Sequence, residues 1–200
     1  MTLEGKRIGF GVTGSHCTYD EVFPQIERLM KEKAIVVPIV TYTVRNTDTK
    51  FGKAEDHIEK IEALTGKTVI STMPGAEPLG PKEPLDCMVI APLTGNSMSK
   101  LANALTDSPV LMAAKATMRN RKPVVLGIST NDALGLNGIN LMRLMSSKYM
   151  YFIPYGQDDP YKKPNSLVSH MDLLVDTVKA ALLFEQIQPV IMPYKNNGIE

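Results

Sequence analysis

The stretch "DCMVIAPLTGNSMSKLANAL" (86–105) decides how the chain is read. An apolar run from Cys87 stops at Pro92, and Thr94, Gly95, Asn96, Ser97 and Ser99 follow before an amphipathic stretch begins. A strand that turns straight into a helix needs one capping side chain, which Asn96 or Ser97 supplies. Thr94, Gly95 and the remaining amide or hydroxyl exceed that need, so the turn is a place where something can be held.

Outward from this turn the same alternation recurs. Short apolar runs predict strands over 6–12, 34–44, 68–72, 86–92, 122–130 and 149–156. Between them lie amphipathic stretches that predict helices over 20–33, 53–67, 97–105, 108–120, 140–148 and 167–186. Pro24 is tolerable if the first helix begins near Asp20, and Gly66 closes the second. A stiff Pro/Gly stretch, 73–84, follows the third strand. Most strands are continuous rather than alternating, so the expectation is α/β: three layers, with helices on both faces of a doubly wound, mostly parallel sheet. No internal repeat or dividing linker is visible. The organisation expected is one domain, 1–187, with a tail, 188–200, whose Val190, Ile191, Met192 and Tyr194 dock on a neighbour or on its own body.

Composition bounds the function. The chain has 200 residues, 44% hydrophobic and 22% charged, with a formal net charge of +1. That balance gives no electrostatic case for a nucleic-acid or membrane partner. Cys17 and Cys87 stand alone, without metal-site spacing, and read as packed thiols in a reducing, cytoplasmic setting. No signal sequence or membrane-length apolar run is expected.

In such sheets ligands bind where the strands end. Gly9, Gly11 and Gly14 satisfy GxGxxG, but the acid that would grip a ribose at the tip of the second strand is missing before Asp48. What survives is anion binding: Gly11, Thr13, Gly14 and Ser15 at the first turn, against the alternative of a plain turn capped by Ser15 or Thr18. Thr41 or Thr43 follows the second strand. Thr94, Gly95, Asn96 and Ser97 form the opening turn, and Ser129, Thr130 and Asn131 a third. Hydroxyl- and amide-rich turns without a lysine cluster suit one phosphate and a polar heterocycle, which describes FMN.

These pieces resemble a known family. "GVTGS" after the first strand, "APLTGNSMSKLANALTD" after the fourth and a strand leading to "STND" are similar to the flavoproteins that include FMN-dependent decarboxylases of cysteine-terminated substrates and flavin prenyltransferases. The resemblance implies a Rossmann-like or flavodoxin-like fold and an FMN site. It departs where decarboxylases carry PxMN, which reads "ISTN" here, with only Asn131 retained. His57 falls in a predicted amphipathic helix, reads as a surface residue, and does not replace their active-site histidine. A narrower resemblance runs through "AEPLGP" (76–81), 91–120, "STNDALGLNGINL" (129–141) and "YFIPYGQDDPYKKPNSLV" (151–168). These segments are similar to the B-subunit family of dipicolinate synthases from spore-forming bacteria.

That narrower resemblance implies oxidation of a dihydrodipicolinate-type intermediate in the mother-cell cytoplasm. It also implies a partner A subunit that supplies NAD(P), a small dicarboxylate substrate, and homo-oligomers. Candidate catalytic residues are His16 as proton shuttle, Glu77 as a base carried by the stiff loop, and Asn131. The structural alternatives are a loop histidine bonded to backbone and a solvated loop acid. A dicarboxylate calls for cations, and Lys115, Arg119, Arg121 and Lys122 cluster at a predicted helix end, where cations are also favoured without any ligand. The loop 156–165 is either a solvated connection or a lid. Three rival functions stand beside this one: an FMN-dependent decarboxylase, a non-catalytic activator of the A subunit, and a plain NAD-binding domain.

Overall fold

The computed structural model describes residues 1–194, and the end of the expected tail, 195–200, lies outside them. Among the described residues seven strands form one sheet. β1 (Arg7–Val12) pairs in parallel with β2 (Ile35–Val40) on one side and β3 (Cys87–Leu93) on the other. β4 (Val124–Thr130) and β5 (Met150–Phe152) continue the parallel order. The order 2-1-3-4-5 reverses direction between β1 and β3, the switch point where flavodoxin-like sheets bind ligands. β5 covers only Val124–Leu126 of β4. The exposed remainder of that edge, Ser129–Thr130, takes the antiparallel β7 (Leu167–Ser169), which in turn carries β6 (Tyr155–Gly156).

Side chains alternate across the parallel strands and fill two cores. Ile8, Phe10, Val12, Val89 and Val125 meet the helices α1 (Tyr19–Lys31), α3 (Ala54–Thr65) and α8 (Leu174–Ala181). Ile39, Met88, Ile90, Leu126 and Ile128 meet α5 (Gly95–Ala102), α6 (Pro109–Arg119) and α7 (Gly138–Met145). Burial on both faces is what the continuous apolar strands demand. No helix among the described residues is long and apolar enough to cross a membrane.

The observed elements depart from the expected ones in several places. The second strand stops at Val40, where β1 also runs out of partners at Val12, and Tyr42–Asn46 forms the short helix α2. β-branched residues favour strands only where a sheet neighbour packs them. The third expected strand, 68–72, reduces to one bridge at Ile70, which bonds Pro38 O and Val40 N. The next ladder bond would need an N–H at residue 38, and proline has none. The Pro/Gly stretch holds a short helix, α4 (Met73–Ala76), and a 3₁₀ turn over Glu77–Leu79. The long C-terminal helix is β7, a 3₁₀ turn (Met171–Leu173) and then α8, because Ser169 is claimed by the sheet: its hydroxyl accepts from Ile128 N at 2.8 Å. The last expected strand, 149–156, likewise breaks at Pro154 into β5 and β6. Residues 190–192 lie along Tyr155, whose N–H donates to Val190 O at 3.0 Å.

Gly11 shows how tightly the switch point is packed. A Cβ there would lie 2.7 Å from both Met88 Cε and Val110 Cγ1. Gly11→Ala is expected to lose about 1–3 kcal/mol of stability through overpacking, read as a lower urea midpoint at unchanged slope.

Candidate functional site

The carboxyl ends of β1, β3 and β4 are fastened together by side chains. Thr13, fully buried, donates from its hydroxyl to Pro92 O at 2.6 Å and accepts from Thr94 N at 3.0 Å. Its carbonyl accepts from Tyr19 Oη at 3.0 Å and from Ser15 N at 2.9 Å. Ser15 and Ser129 hydroxyls lie 2.7 Å apart and join the first turn to β4. Thr94, rather than the expected Asn96 or Ser97, caps α5, accepting from Ser97 N at 3.3 Å, because the helix already begins at Gly95. Asp132 accepts from Thr130 Oγ1 at 2.5 Å and from Asn137 Nδ2 at 2.7 Å, which folds the 130–137 loop against α5. Gly95 makes that approach possible, since a Cβ there would sit 2.6 Å from Asp132 Oδ1 and 2.7 Å from Thr130 Oγ1.

Two cavities open on this platform. The larger, about 740 Å³, is walled by Gly14 and Ser15, by Thr94–Asn96, by Ser129–Asp132 and by Asp158, Lys163 and Ser166. The smaller, about 260 Å³, lies among Thr41–Thr43, Ser97, Lys100 and Ser108. Gly14, Thr94 and Asn96 line both, so the two adjoin along one edge of the sheet. The smaller cavity gathers hydrogen-bond donors, with the acid Asp107 beside them. Thr41 occupies the capping position of α2, yet its hydroxyl makes no cap and has no partner among the described residues, although the residue is 8% exposed. The first amides of α5 have no intrahelical acceptor, and Lys100 adds a charge, paired with Asp107 at 2.6 Å. A buried hydroxyl left unmatched costs about 1–3 kcal/mol, which a ligand oxygen would recover.

Comparison with known proteins agrees with this geometry. A family model described as Flavoprotein matches residues 1–182. The chain belongs to the Flavoprotein family. It is 67% identical over 197 residues to the dipicolinate synthase B subunit of Bacillus subtilis (strain 168), covering 98% of each chain. The crystal structure of the dipicolinate synthase B subunit from Bacillus halodurans C superposes with a TM-score of 0.90 at 62% identity, over 98% of this chain and 100% of that one. Burkholderia xenovorans DmrB in complex with FMN, a cubic protein cage for redox transfer, shares the fold at a TM-score of 0.66 and 17% identity, over 90% of this chain and 96% of that one.

Within this flavoprotein, Gly14, Ser15, Thr41, Thr43, Thr94–Ser97 and Ser129–Asn131 all line these two cavities. Others expected at the site are placed elsewhere. Gly11 lies inside β1, where its role is close packing. Thr13 is a fastener with its hydroxyl already used in both directions. Glu77 sits on its 3₁₀ turn beside a separate pocket of about 360 Å³ with Lys115 and Arg119. The expected cationic wall lies away from both cavities, because Lys115–Lys122 run toward the far end of α6 and Lys122 lies 4.0 Å from Asp86, ahead of β3. Cys87 is buried as expected, whereas Cys17 is exposed and lines the larger cleft. Asp132, Asp158 and Lys163 also line the cleft. The mixed charges of 156–165 had marked that loop, and Asp132 reads in sequence as no more than a helix-cap candidate after β4.

His16 is 8% exposed and packed under the first turn, outside both linings, with neither ring nitrogen partnered. Its ring lies 4.9 Å from Tyr19 and 5.5 Å from His57, centroid to centroid. His57, expected at the surface, is half-buried and meets Tyr19 edge-on. Burial holds both imidazoles below their ordinary value, and the charge of His57 lowers His16 further. Depressed folded values mean that the unfolded chain takes up protons first, so stability is full above the ordinary value of 6.5 and falls as pH drops below it. The urea midpoint is expected to decline between about pH 7.5 and about pH 5.5, and more shallowly in His16→Phe.

Proposed function

We propose that the chain binds FMN across the two adjoining cavities and acts as the B subunit of a dipicolinate synthase. In this reading it works with a nicotinamide-dependent A subunit to oxidise a dihydrodipicolinate-type intermediate to dipicolinate. The observation that carries the reading is the unpartnered Thr41 hydroxyl at the smaller cavity, which adjoins a broad and polar one. The phosphate would be held by Thr41, Thr43, Ser97 and Lys100, and the ring system by Gly14, Ser15, Asn96 and Ser129–Asn131. FMN, when bound, supplies a two-electron acceptor suited to aromatising a dihydropyridine ring. The protein's part is to position the substrate, exclude water and take up the proton released. Asp132 is already fixed by two donors and Asp158 is paired with Lys163, which leaves Glu21 as the carboxylate facing the cleft for that last task. The wider setting proposed is the mother-cell cytoplasm during sporulation, in homo-oligomers of a 1–187 domain with 188–200 appended.

FMN added to the purified chain is expected to bind with quenched fluorescence, and Thr41→Val to weaken it about tenfold by removing a donor to the phosphate. Absence of uptake by the wild-type chain would remove the flavin reading.

A second reading, an activator of the A subunit without chemistry of its own, is favoured by the withdrawal of His16 from the cleft. Dipicolinate formation assayed with the A subunit alone, this chain alone and the pair separates the two. The catalytic reading expects product from the pair and none from the pair carrying FMN-free Thr41→Val, whereas an activator would work without flavin. Carbon dioxide release from a cysteine-terminated peptide would instead favour a decarboxylase.

A further inference from the structure

We infer that Lys163 is the side chain that anchors a carboxylate of the substrate, with Asp158 as the residue that positions it. The inference rests on the dicarboxylate reading given above and adds the group that recognises the substrate.

The charges lining the larger cleft pose the problem. Three acids, Glu21, Asp132 and Asp158, face it, and Lys163 is the one cation among its described lining residues. A dianion entering such a cleft meets net repulsion unless a cation turns toward it. The basic groups considered above are placed elsewhere. Lys100 is paired with Asp107 in the smaller cavity, Lys115 and Arg119 border a separate pocket, and Lys122 is beside Asp86.

Lys163 is also held in place. Its N–H donates to Asp159 O at 2.8 Å, and its carbonyl accepts from Ser166 N at 2.9 Å. Gln157 Nε2 donates to Pro164 O at 2.9 Å and spans the loop. The loop is tied to the opposite lip, with Ser166 Oγ donating to Thr130 O at 3.3 Å and Leu134 N to Asn165 O at 3.0 Å. The backbone of Lys163 is therefore fixed relative to Thr130 and Asn131, which line the same cleft.

At the tip, Nζ donates to Asp158 Oδ2 at 3.1 Å while the side chain stays 58% exposed. An ammonium has three N–H groups and Asp158 engages one, which leaves donors for a second carboxylate. Hydrogen bonding and the charge of Asp158 raise the lysine above its ordinary value, so it is cationic wherever the substrate is ionised. Exposed ion pairs are weak, and sharing this one with a ligand costs little.

The test uses the FMN-loaded protein and two probes, pyridine-2,6-dicarboxylate and its neutral diamide, titrated by calorimetry. Lys163→Ala is expected to weaken the dicarboxylate about tenfold and to leave the diamide and FMN affinities within about twofold, with Lys163→Arg restoring most of the loss. Dicarboxylate affinity unchanged in Lys163→Ala, with FMN bound, would overturn the anchor and leave the flavin reading standing. A wild-type protein that takes up FMN and ignores the dicarboxylate would overturn the dicarboxylate reading and the anchor together. Equal losses for dicarboxylate and diamide would show a wall contact rather than charge recognition, and also overturn the anchor.

Discussion

The Thr13 hydroxyl occupies the gap where the sheet reverses its strand order. Two neighbouring strands whose chains leave in opposite directions create a crevice there, and the crevice is useful only if its walls stay at a fixed spacing. Thr13 sets that spacing by donating to the end of β3 and accepting from the first amide beyond it. Ser15 against Ser129 extends the tie to β4. With these bonds in place the first amides of α5, the Ser97 hydroxyl and the unused Thr41 hydroxyl converge on the smaller cavity. Buried hydrogen bonds of this kind contribute modestly to stability, but leaving either partner alone would be costly, so the strand ends are tied at one spacing.

Much of this was legible because the sheet edge collects turns by topology. Once strands and helices alternate, the residues after each strand must share one edge, whatever their distance in sequence. That is why Gly14, Thr41, Thr94–Ser97 and Ser129–Asn131 could be grouped without coordinates. What failed were readings in which one residue type has two physical uses. Gly11 fits a phosphate fingerprint and a close strand–helix contact equally well, and only the positions of Met88 and Val110 decide between them. Thr13 fits a ligand donor and a fastener, and the choice depends on the carbonyl of Pro92, 79 residues away. The run 115–122 clusters in sequence, but its direction along α6 carries it away from the site. The strand expected at 68–72 was lost to one missing N–H on its neighbour, Pro38, an effect no local propensity contains.

The two buried groups without partners, Thr41 and His16, help to separate binding from mere strain. Each leaves polar atoms unmatched away from solvent, and each lowers stability for that reason. They differ in what they face. The Thr41 residue lines a cavity that adjoins the main cleft, where a ligand oxygen would offset the cost. The His16 nitrogens lie among Tyr19 and His57, outside the lining of either cavity, so ligand binding leaves their cost in place. An unmatched atom is therefore evidence of a site only where space adjoins it. By that criterion the first histidine of the chain, the obvious acid–base candidate in the sequence, sits with the scaffold behind the turn, and the threonine after β2 is the better placed of the two to meet a ligand.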